Sequence, residues 1–176
     1  MKELQVTTDN LKNVIPDLKV GDKILLNGTV YTSRDAAHKR IFELMKKGEV
    51  LPFNIKNSVI YYAGPTPTPD NMAIGSCGPT TSGRMDAYAP TLYDLGMTAT
   101  IGKGERSKEV IDAIIKNNAV YLCAIGGAGA LASLHITECE VIAFEDLGCE
   151  SVKRLTFKDF PLYVGIDCKG NSIFEN

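Results

Sequence analysis

The sequence has no long apolar run, no excess of basic charge and no internal repeat, and each absence excludes a class of protein. No stretch approaches the ~20 apolar residues that cross a bilayer, and the opening MKELQVTTDN contains no apolar signal-peptide core. The 19 basic residues are outnumbered by 21 acidic ones, which gives a net charge of −2, whereas binding a phosphate backbone requires a basic surface. We therefore expect a cytoplasmic protein without a membrane or a nucleic acid among its partners.

Closely spaced cysteines are missing as well. The chain has five cysteines, an odd number, and no C-x-x-C pair. The sequence therefore predicts neither a zinc ribbon nor an iron–sulfur cluster site, and we assign no metal ligand to this chain. Four of the five are expected to be small buried thiols in a reducing compartment, namely Cys123, Cys139, Cys149 and Cys168. The role of the fifth, Cys77, is left open because its neighbours are unusual.

The order of predicted elements indicates an α/β fold. A chain of 176 residues with 44% hydrophobic content has room for one domain, here residues 1–176. LQVTT and KILLNGTVYTS have strand composition, and SRDAAHKRIFELMKKG predicts a helix with Ser33 as its N-cap. From residue 75 onward helices and strands alternate, and the tail VKRLTFKDFPLYVGIDCKGNSIFE predicts an edge hairpin with KGN at its turn. We therefore expect a layered α/β domain with β-rich N- and C-terminal segments.

The segment GSCGPTTSGRMD, residues 75–86, places many hydrogen-bond donors before an apolar helical stripe. It is expected to begin a helix that continues to Gly96 and bends at Pro90. Glycines let a ligand approach the backbone, hydroxyls donate hydrogen bonds, and arginine binds carboxylate or phosphate, so the segment predicts an anion site. Its candidate residues are Gly78, Thr80, Thr81, Ser82, Gly83 and Arg84. A capped helix after a tight turn explains the segment about as well, and the pattern of a P-loop is absent.

Two further cations lie where an anion site would need them. Arg34 is predicted in the first turn of a helix, where a positive charge opposes the helix dipole, and pairing with an anion would offset that cost. Lys103 directly follows the strand MTATIG, at the strand end where α/β proteins place their ligands. An arginine turned to solvent and a lysine in a surface turn are the alternatives. His38, one turn after Arg34, is expected at the surface.

A function of another class is suggested by CAIGGAGALAS. A strand, clustered glycines and a helix follow one another there, and Glu145 and Asp146 come about 20 residues later, as a ribose-binding acid would. The G-x-G-x-x-G spacing is absent, and tight packing of helix on strand explains the glycines at least as well. A nucleotide-binding or regulatory module is therefore the alternative.

Five motifs together resemble a known family. GSCGPTTSGRMD, IGKG, GGAGAL, AFEDLG and DFPLYVGIDCKGN, in this order, look like the β chain of the iron–sulfur fumarate and L-tartrate dehydratases. In single-chain class I fumarases the same region is the C-terminal domain. The resemblance extends over nearly the whole chain and implies a swivelling β/β/α fold. It also implies the β subunit of a hydro-lyase that hydrates fumarate to malate, with L-tartrate dehydratase as the alternative.

The same resemblance implies a cofactor and a partner. In this family three cysteines of the other chain hold a four-iron–four-sulfur cluster, whose open iron acts as a Lewis acid on malate. We therefore expect the cluster to be supplied by an α subunit and not to be ligated by this chain. A hetero-oligomer with two copies of each chain and a dicarboxylate substrate are expected too.

The resemblance finally implies roles for individual residues. It assigns substrate binding to Arg34, to Lys103 and to Arg84 with the hydroxyls of the loop before it. It assigns proton transfer to Thr80. Thr81 lies close enough to be confused with Thr80. Two arginines and a lysine are sufficient to hold two carboxylates and to stabilise the charge that builds when a proton leaves the adjacent carbon. A threonine hydroxyl must be ionised to act as a base, and ionisation requires nearby positive charge, which Arg84 and Lys103 could provide. Thr80, Thr81 and Lys103 are therefore the predicted catalytic residues.

Overall fold

The fold is that of a computed structural model, which describes residues 2–125 and 128–175. The strands are β1 (Glu3–Thr7), β2 (Lys23–Thr32), β3 (Val59–Tyr61), β4 (Ala99–Gly102), β5 (Val120–Cys123), β6 (Ile136–Ala143) and β7 (Val152–Ile166). The α-helices are α1 (Leu11–Val14), α2 (Asp35–Lys46), α3 (Ala89–Asp94), α4 (Lys108–Lys116) and α5 (Gly129–Ser133). Three 3-10 helices span Ile15–Asp17, Ser82–Met85 and Glu145–Glu150. None of the helices in these ranges is long and apolar enough to cross a membrane.

The strands form one mixed sheet that closes on itself. β2, β3, β4 and β5 pair in this order and are parallel, and β7 is antiparallel to both β2 and β5. A barrel-like ring of five strands results, with β1 alongside β2 and β6 alongside β7. The predicted α/β class and the β-rich chain ends are confirmed.

The tail forms the predicted hairpin, with Ile166 and Ser172 bridged across the turn, but the prediction that it lies at an edge of the sheet is wrong. β7 is 15 residues long and pairs along its length with β2, β5 and β6, so it lies within the sheet. Its apolar side chains are buried, as expected of a strand with neighbours on both sides. The turn at KGN does form, because Gly170 has a φ of 86° and its N–H donates to the carbonyl of Asp167 at 3.0 Å.

The core lies on both faces of the sheet. Val59 and Tyr61 pack inside the ring, whereas Ile60 and Tyr62 pack between the sheet and the helices. This alternation follows from the period of two residues in a strand, and it explains why NSVIYYAG reads as a continuous apolar run. The helical side of the core contains Ile41 of α2 among its buried side chains.

The segment after the glycine-rich loop differs from the single bent helix that was expected. A 3-10 helix over Ser82–Met85 is followed by the separate short helix α3. Pro90 lies in the first turn of α3, where its missing N–H has no intrahelical partner to lose. It therefore helps to begin α3 and does not bend a longer helix.

α2 begins one residue later than predicted. Arg34, with φ −117° and ψ −162°, is the N-cap residue, and its own side chain makes no capping hydrogen bond, whereas Oε1 of Glu150 accepts from the Ala36 N–H at 3.3 Å. The Ser33 hydroxyl instead lies 2.8 Å from Nδ1 of His38, so the prediction of Ser33 as the N-cap is wrong. Nδ1 of His38 is also 2.8 Å from the carbonyl oxygen of Arg34. Because a carbonyl only accepts, Nδ1 carries the hydrogen and Nε2 is the unprotonated nitrogen of the neutral ring.

His38 is fully buried, which contradicts its expected place at the surface. Its ring stacks on Tyr88, with centroids 5.3 Å apart, and meets Tyr62 edge-on at 5.7 Å. Burial lowers the pKa of His38 from 6.5 to about 4, although the hydrogen bond to Arg34 and the charge of Asp35 oppose this shift. The imidazole is therefore neutral at pH 7.

Acidification should destabilise the fold through His38. The unfolded chain binds a proton at a pKa near 6.5 and the folded chain only near 4, so stability is lost as the pH falls through this window. The expected loss is about 3 kcal/mol of unfolding free energy, measured by urea denaturation between pH 7 and pH 4. His38→Gln should flatten this dependence. His135→Gln, which removes the other histidine, is the matched control, and equal slopes in both variants would contradict the assignment.

Candidate functional site

The candidate residues meet at the carboxyl ends of parallel strands. Arg34 follows β2 and Lys103 follows β4, while β3 lies between these strands. The glycine-rich loop, residues 75–84, crosses the same ends. The Thr80 N–H donates to the Tyr62 carbonyl at 2.8 Å, and the Ser82 N–H donates to the Lys103 carbonyl at 2.9 Å. Thr81 thereby forms a parallel bridge with Lys103. This sheet edge is where open α/β sheets place their ligands.

Arg84 contacts the start of α2, the helix that Arg34 caps. Arg84 Nε lies 3.2 Å from Oδ1 of Asp35, the residue next to Arg34. The Arg34 guanidinium lies against Gly64, where an added Cβ would be 3.1 Å from Nη1. A side chain at residue 64 would therefore crowd Arg34. Nε of Arg34 is buried and has no hydrogen-bond partner among the described residues.

The candidate side chains differ in their access to solvent. Thr81, Gly83, Arg84 and Lys103 are exposed, Arg34, Gly78 and Thr80 are half-buried, and Ser82 is buried. Exposure of Arg84, Lys103 and Thr81 leaves them able to contact a ligand that lies on this edge. The predicted site residues other than Ser82 therefore have at least part of their surface open.

Ser82 lies beneath the loop. Its hydroxyl is 2.8 Å from the Tyr121 hydroxyl, which donates to the carbonyl of Gly104 at 2.8 Å. Since the Tyr121 hydrogen is used on Gly104, Ser82 donates to Tyr121. Gly102 makes room for this contact, because a Cβ there would lie 1.9 Å from the Ser82 oxygen. A contact of the Ser82 hydroxyl with substrate stays a prediction, and the hydroxyl itself anchors the loop to the sheet.

Sequence reasoning missed Arg106, which fixes the segment after Arg84. Its fully buried side chain lies over the rings of Tyr62 and Tyr121, with centroids 5.3 and 4.8 Å away. Nε donates to Asp86 at 2.7 Å, and the other Asp86 oxygen accepts from the Ser107 N–H at 2.7 Å. The sequence offers two hints to this ion pair. Asp86 is the acidic residue that ends GSCGPTTSGRMD, and Arg106 follows soon after Lys103. Charge alone could not distinguish this pair from a surface turn.

Several glycines serve chain packing. A Cβ on Gly75 would lie 2.1 Å from the carbonyl of Thr66, and one on Gly129 would lie 2.8 Å from the Gly78 nitrogen. Gly83 is different, because its nearest neighbour would be a carbonyl 3.8 Å away. Of Gly75, Gly78 and Gly83 in the loop, Gly83 therefore leaves the most room for a ligand to approach the backbone.

The glycine-rich motif behind the nucleotide alternative is only partly described, since Gly126 and Gly127 lie outside the described residues. The helix that follows, α5, has five residues, and its first glycine packs on the loop at Gly78. Of the two acids, Asp146 forms an ion pair with Arg40. These contacts agree with the packing interpretation of the motif.

The described residues do not suit a metal centre. In the ranges 2–125 and 128–175, no three histidine, cysteine or acidic side chains converge where they could hold a metal ion. All five cysteines belong to these ranges and are free thiols. The prediction that the four besides Cys77 are buried is wrong, because Cys149 is exposed and the other three are only half-buried at the margin of the core. Burial raises the pKa of Cys77 to about 12, so this thiol stays protonated, whereas a cluster ligand must be a thiolate. An iron–sulfur cluster therefore does not fit the thiols that the described residues offer.

Comparison with known proteins places the chain in a family. The family described as Fumarase C-terminus matches residues 1–176. The chain is 42% identical to "Fumarate hydratase 2" of Leishmania major and 41% identical to "Fumarate hydratase class I, aerobic" of Escherichia coli, over 98% and 94% of its own length. It spans 31% of the length of each of these relatives.

A separate subunit is also among the relatives. The chain is 40% identical, over 93% of its length, to "Putative L(+)-tartrate dehydratase subunit beta" of Methanocaldococcus jannaschii, and it covers 87% of that protein. The matches to longer enzymes and to a β subunit agree with the resemblance that the motifs indicate. The chain belongs to the Fumarase C-terminus family.

Proposed function

We propose that the chain is the β-subunit part of a hydro-lyase that interconverts fumarate and malate, with L-tartrate as the alternative substrate. The observation that carries this proposal is the meeting of Arg34, Arg84 and Lys103 at one sheet edge beside Thr80 and Thr81. The names of the relatives support the same reaction class. A swivelling β/β/α arrangement is the finer fold that we propose for this domain.

Substrate binding rests on the cations. A C4 dicarboxylate carries two negative groups, and an arginine binds a carboxylate through two parallel N–H donors. Arg84 and Arg34 each take part in holding these groups, and the exposed Lys103 adds a third positive charge. Gly78, Ser82 and Gly83 shape the loop against which the substrate lies. Two carboxylates in one ligand account for this number of cations at one edge.

Proton transfer rests on the threonines. Both threonines have their backbone tied to the sheet, but Thr80 is half-buried, so its side chain has less room to move than that of the exposed Thr81. Nearby positive charge lowers the cost of ionising a hydroxyl, and the Thr81–Lys103 bridge brings Lys103 next to this pair. The same cations stabilise the negative charge that develops on the substrate carboxylate when the carbon beside it loses a proton.

The cofactor and the partner are proposed because the described thiols do not suit a cluster site. These thiols do not fit a four-iron–four-sulfur cluster, so we propose that an α subunit holds that cluster and completes the site. The name of the Methanocaldococcus relative, a β subunit, supports a separate partner, and the greater length of the fumarate hydratases supports a fused one. A hetero-oligomer with two copies of each chain and a cytoplasmic location remain part of this proposal.

Removal of either arginine should abolish most of the turnover. Arg84→Ala and Arg34→Ala, each in the complex with the α subunit, should lower kcat/KM because each variant loses a charge-assisted contact. The decrease should correspond to a loss of ~2–4 kcal/mol in transition-state stabilisation. Steady-state kinetics on malate measures this, with circular dichroism to check the fold. Arg40→Ala is the matched control, since Arg40 lies on the same helix and pairs with Asp146. Wild-type kinetics in Arg84→Ala would contradict the assignment.

The two threonines can be separated by their effect on kcat. Thr80→Val should depress kcat far more than it changes KM, because it removes the group that moves the proton and leaves the cations in place. Thr81→Val should be milder, and Thr80→Ser should restore part of the rate. The opposite ranking would place the base one residue later, and small equal effects would remove both hydroxyls from the chemistry.

Reconstitution tests the proposed function and the need for a partner together. The chain alone, treated anaerobically with iron and sulfide, should stay colourless and should not dehydrate malate, because its thiols do not converge. Addition of the α subunit should produce activity, and comparison of malate with L-tartrate then identifies the substrate. A brown, active protein from this chain alone would refute the partner requirement.

A further inference from the structure

Asp35 is the acidic residue that the structure places among the cations of the site. It is the first residue of α2, directly after Arg34, and its Oδ1 lies 3.2 Å from Nε of Arg84. Its other oxygen, Oδ2, is buried and has no hydrogen-bond partner among the described residues. A buried polar atom without a partner costs free energy, so the site retains Asp35 at an expense to stability.

Asp35 lies between the start of α2 and the guanidinium of Arg84. The first turn of a helix carries partial positive charge, with which a carboxylate interacts favourably. Arg84 adds a full positive charge 3.2 Å away. The Asp35 carboxylate therefore gives Arg84 an ionic partner before a ligand binds.

The contact with Asp35 uses one particular nitrogen of Arg84. The ion pair is made at Nε, without the geometry of a hydrogen bond, and it leaves the end that carries Nη1 and Nη2 for another partner. That end presents the parallel donors that bind a carboxylate in the bidentate manner. Arg84 is 54% exposed at its side chain, so without the ion pair it could adopt many rotamers, and fixing it only on binding would cost affinity.

The backbone of the Arg84 segment has its own attachments. Tyr88 stacks on His38 of α2, and Asp86 is bound to Arg106 and to the Ser107 N–H. Both sets of contacts are made by the segment that leads from Arg84 into α3. Neither of them involves Asp35. Loss of the Asp35 carboxylate should therefore release the Arg84 side chain and leave the segment in place.

We infer that Asp35 is a positioning residue, which orients the guanidinium of Arg84 towards a carboxylate of the substrate. This inference rests on the proposed function, because it concerns the same dicarboxylate site. Asp35 itself does not touch the substrate in this role. Its effect is exerted through Arg84 and should disappear when Arg84 is absent.

Kinetics of the complex with the α subunit tests the role. Asp35→Asn should raise KM for malate by about five- to tenfold with a smaller change in kcat, since affinity is lost when a side chain must be ordered on binding. Asp35→Glu should restore part of the affinity. Glu43→Gln is the matched control, because it removes one acidic charge from an exposed position about two turns further along α2 and should leave KM unchanged.

A double-mutant cycle separates this role from a structural one. If Asp35 acts through Arg84, Asp35→Asn should change KM very little in an Arg84→Ala background. Additive effects in the cycle, or an unchanged KM in Asp35→Asn alone, would overturn the inference while the proposed function stands. A complex without activity on malate and L-tartrate would instead overturn the proposed function, and the substrate role of Asp35 with it.

Nuclear magnetic resonance of the chain alone gives a readout that does not depend on activity. Relaxation of the Nε–H group of Arg84 should show a more restricted side chain in the wild type than in Asp35→Asn, because the ion pair limits the rotamers of the arginine. Glu43→Gln should leave this restriction unchanged. Equal side-chain mobility in all three proteins would overturn the inference, since Asp35 would then not position Arg84 in solution.

Discussion

The parallel register of β2, β3 and β4 is the constraint on which the candidate site depends. Thr32 is paired with Tyr61, and Tyr61 with Ile101, so the three strands end side by side. Arg34 comes two residues after Thr32, and Lys103 comes two residues after Ile101. A slip of one residue in either pairing would turn the side chains of that strand to the other face and separate the two cations. The closing strand β7 holds β2 and β5 in the ring that keeps this register.

Much of this arrangement can be predicted from local patterns, and the rest depends on distant contacts. Strand composition located β2 and β4, and the place of Lys103 at a strand end follows from that alone. The central position of β7 could not be predicted, because its pairing with β2 joins segments more than 100 residues apart, and the local pattern of an edge strand is similar. The burial of His38 depends on Tyr62 and Tyr88, which lie far along the chain and cover it. Asp35 was missed as a partner of Arg84 for the same reason.

Charge is distributed so that structural and candidate functional cations are kept apart. Arg106 is fully buried, and its charge is matched by Asp86 and by contacts with Thr100 and Tyr62. A buried charge that lost such partners would destabilise the fold strongly, so Arg106 cannot leave these contacts to bind a ligand. Arg84 has a single contact to Asp35 among the described ion pairs and stays half-exposed. The arginine that can change partners is therefore the one near solvent, as binding of an anion requires.

The open character of the site explains why a second protein surface is part of the proposed function. Thr81, Arg84 and Lys103 are exposed, and charges near water interact several-fold more weakly than charges in a site from which water is excluded. Ionisation of a threonine and stabilisation of a developing carboxylate charge both need the stronger interaction. Under the proposed function, this chain would hold the cations at one edge and would supply one wall for the substrate. A partner that covers the edge would exclude water and strengthen the contacts of all three cations at once.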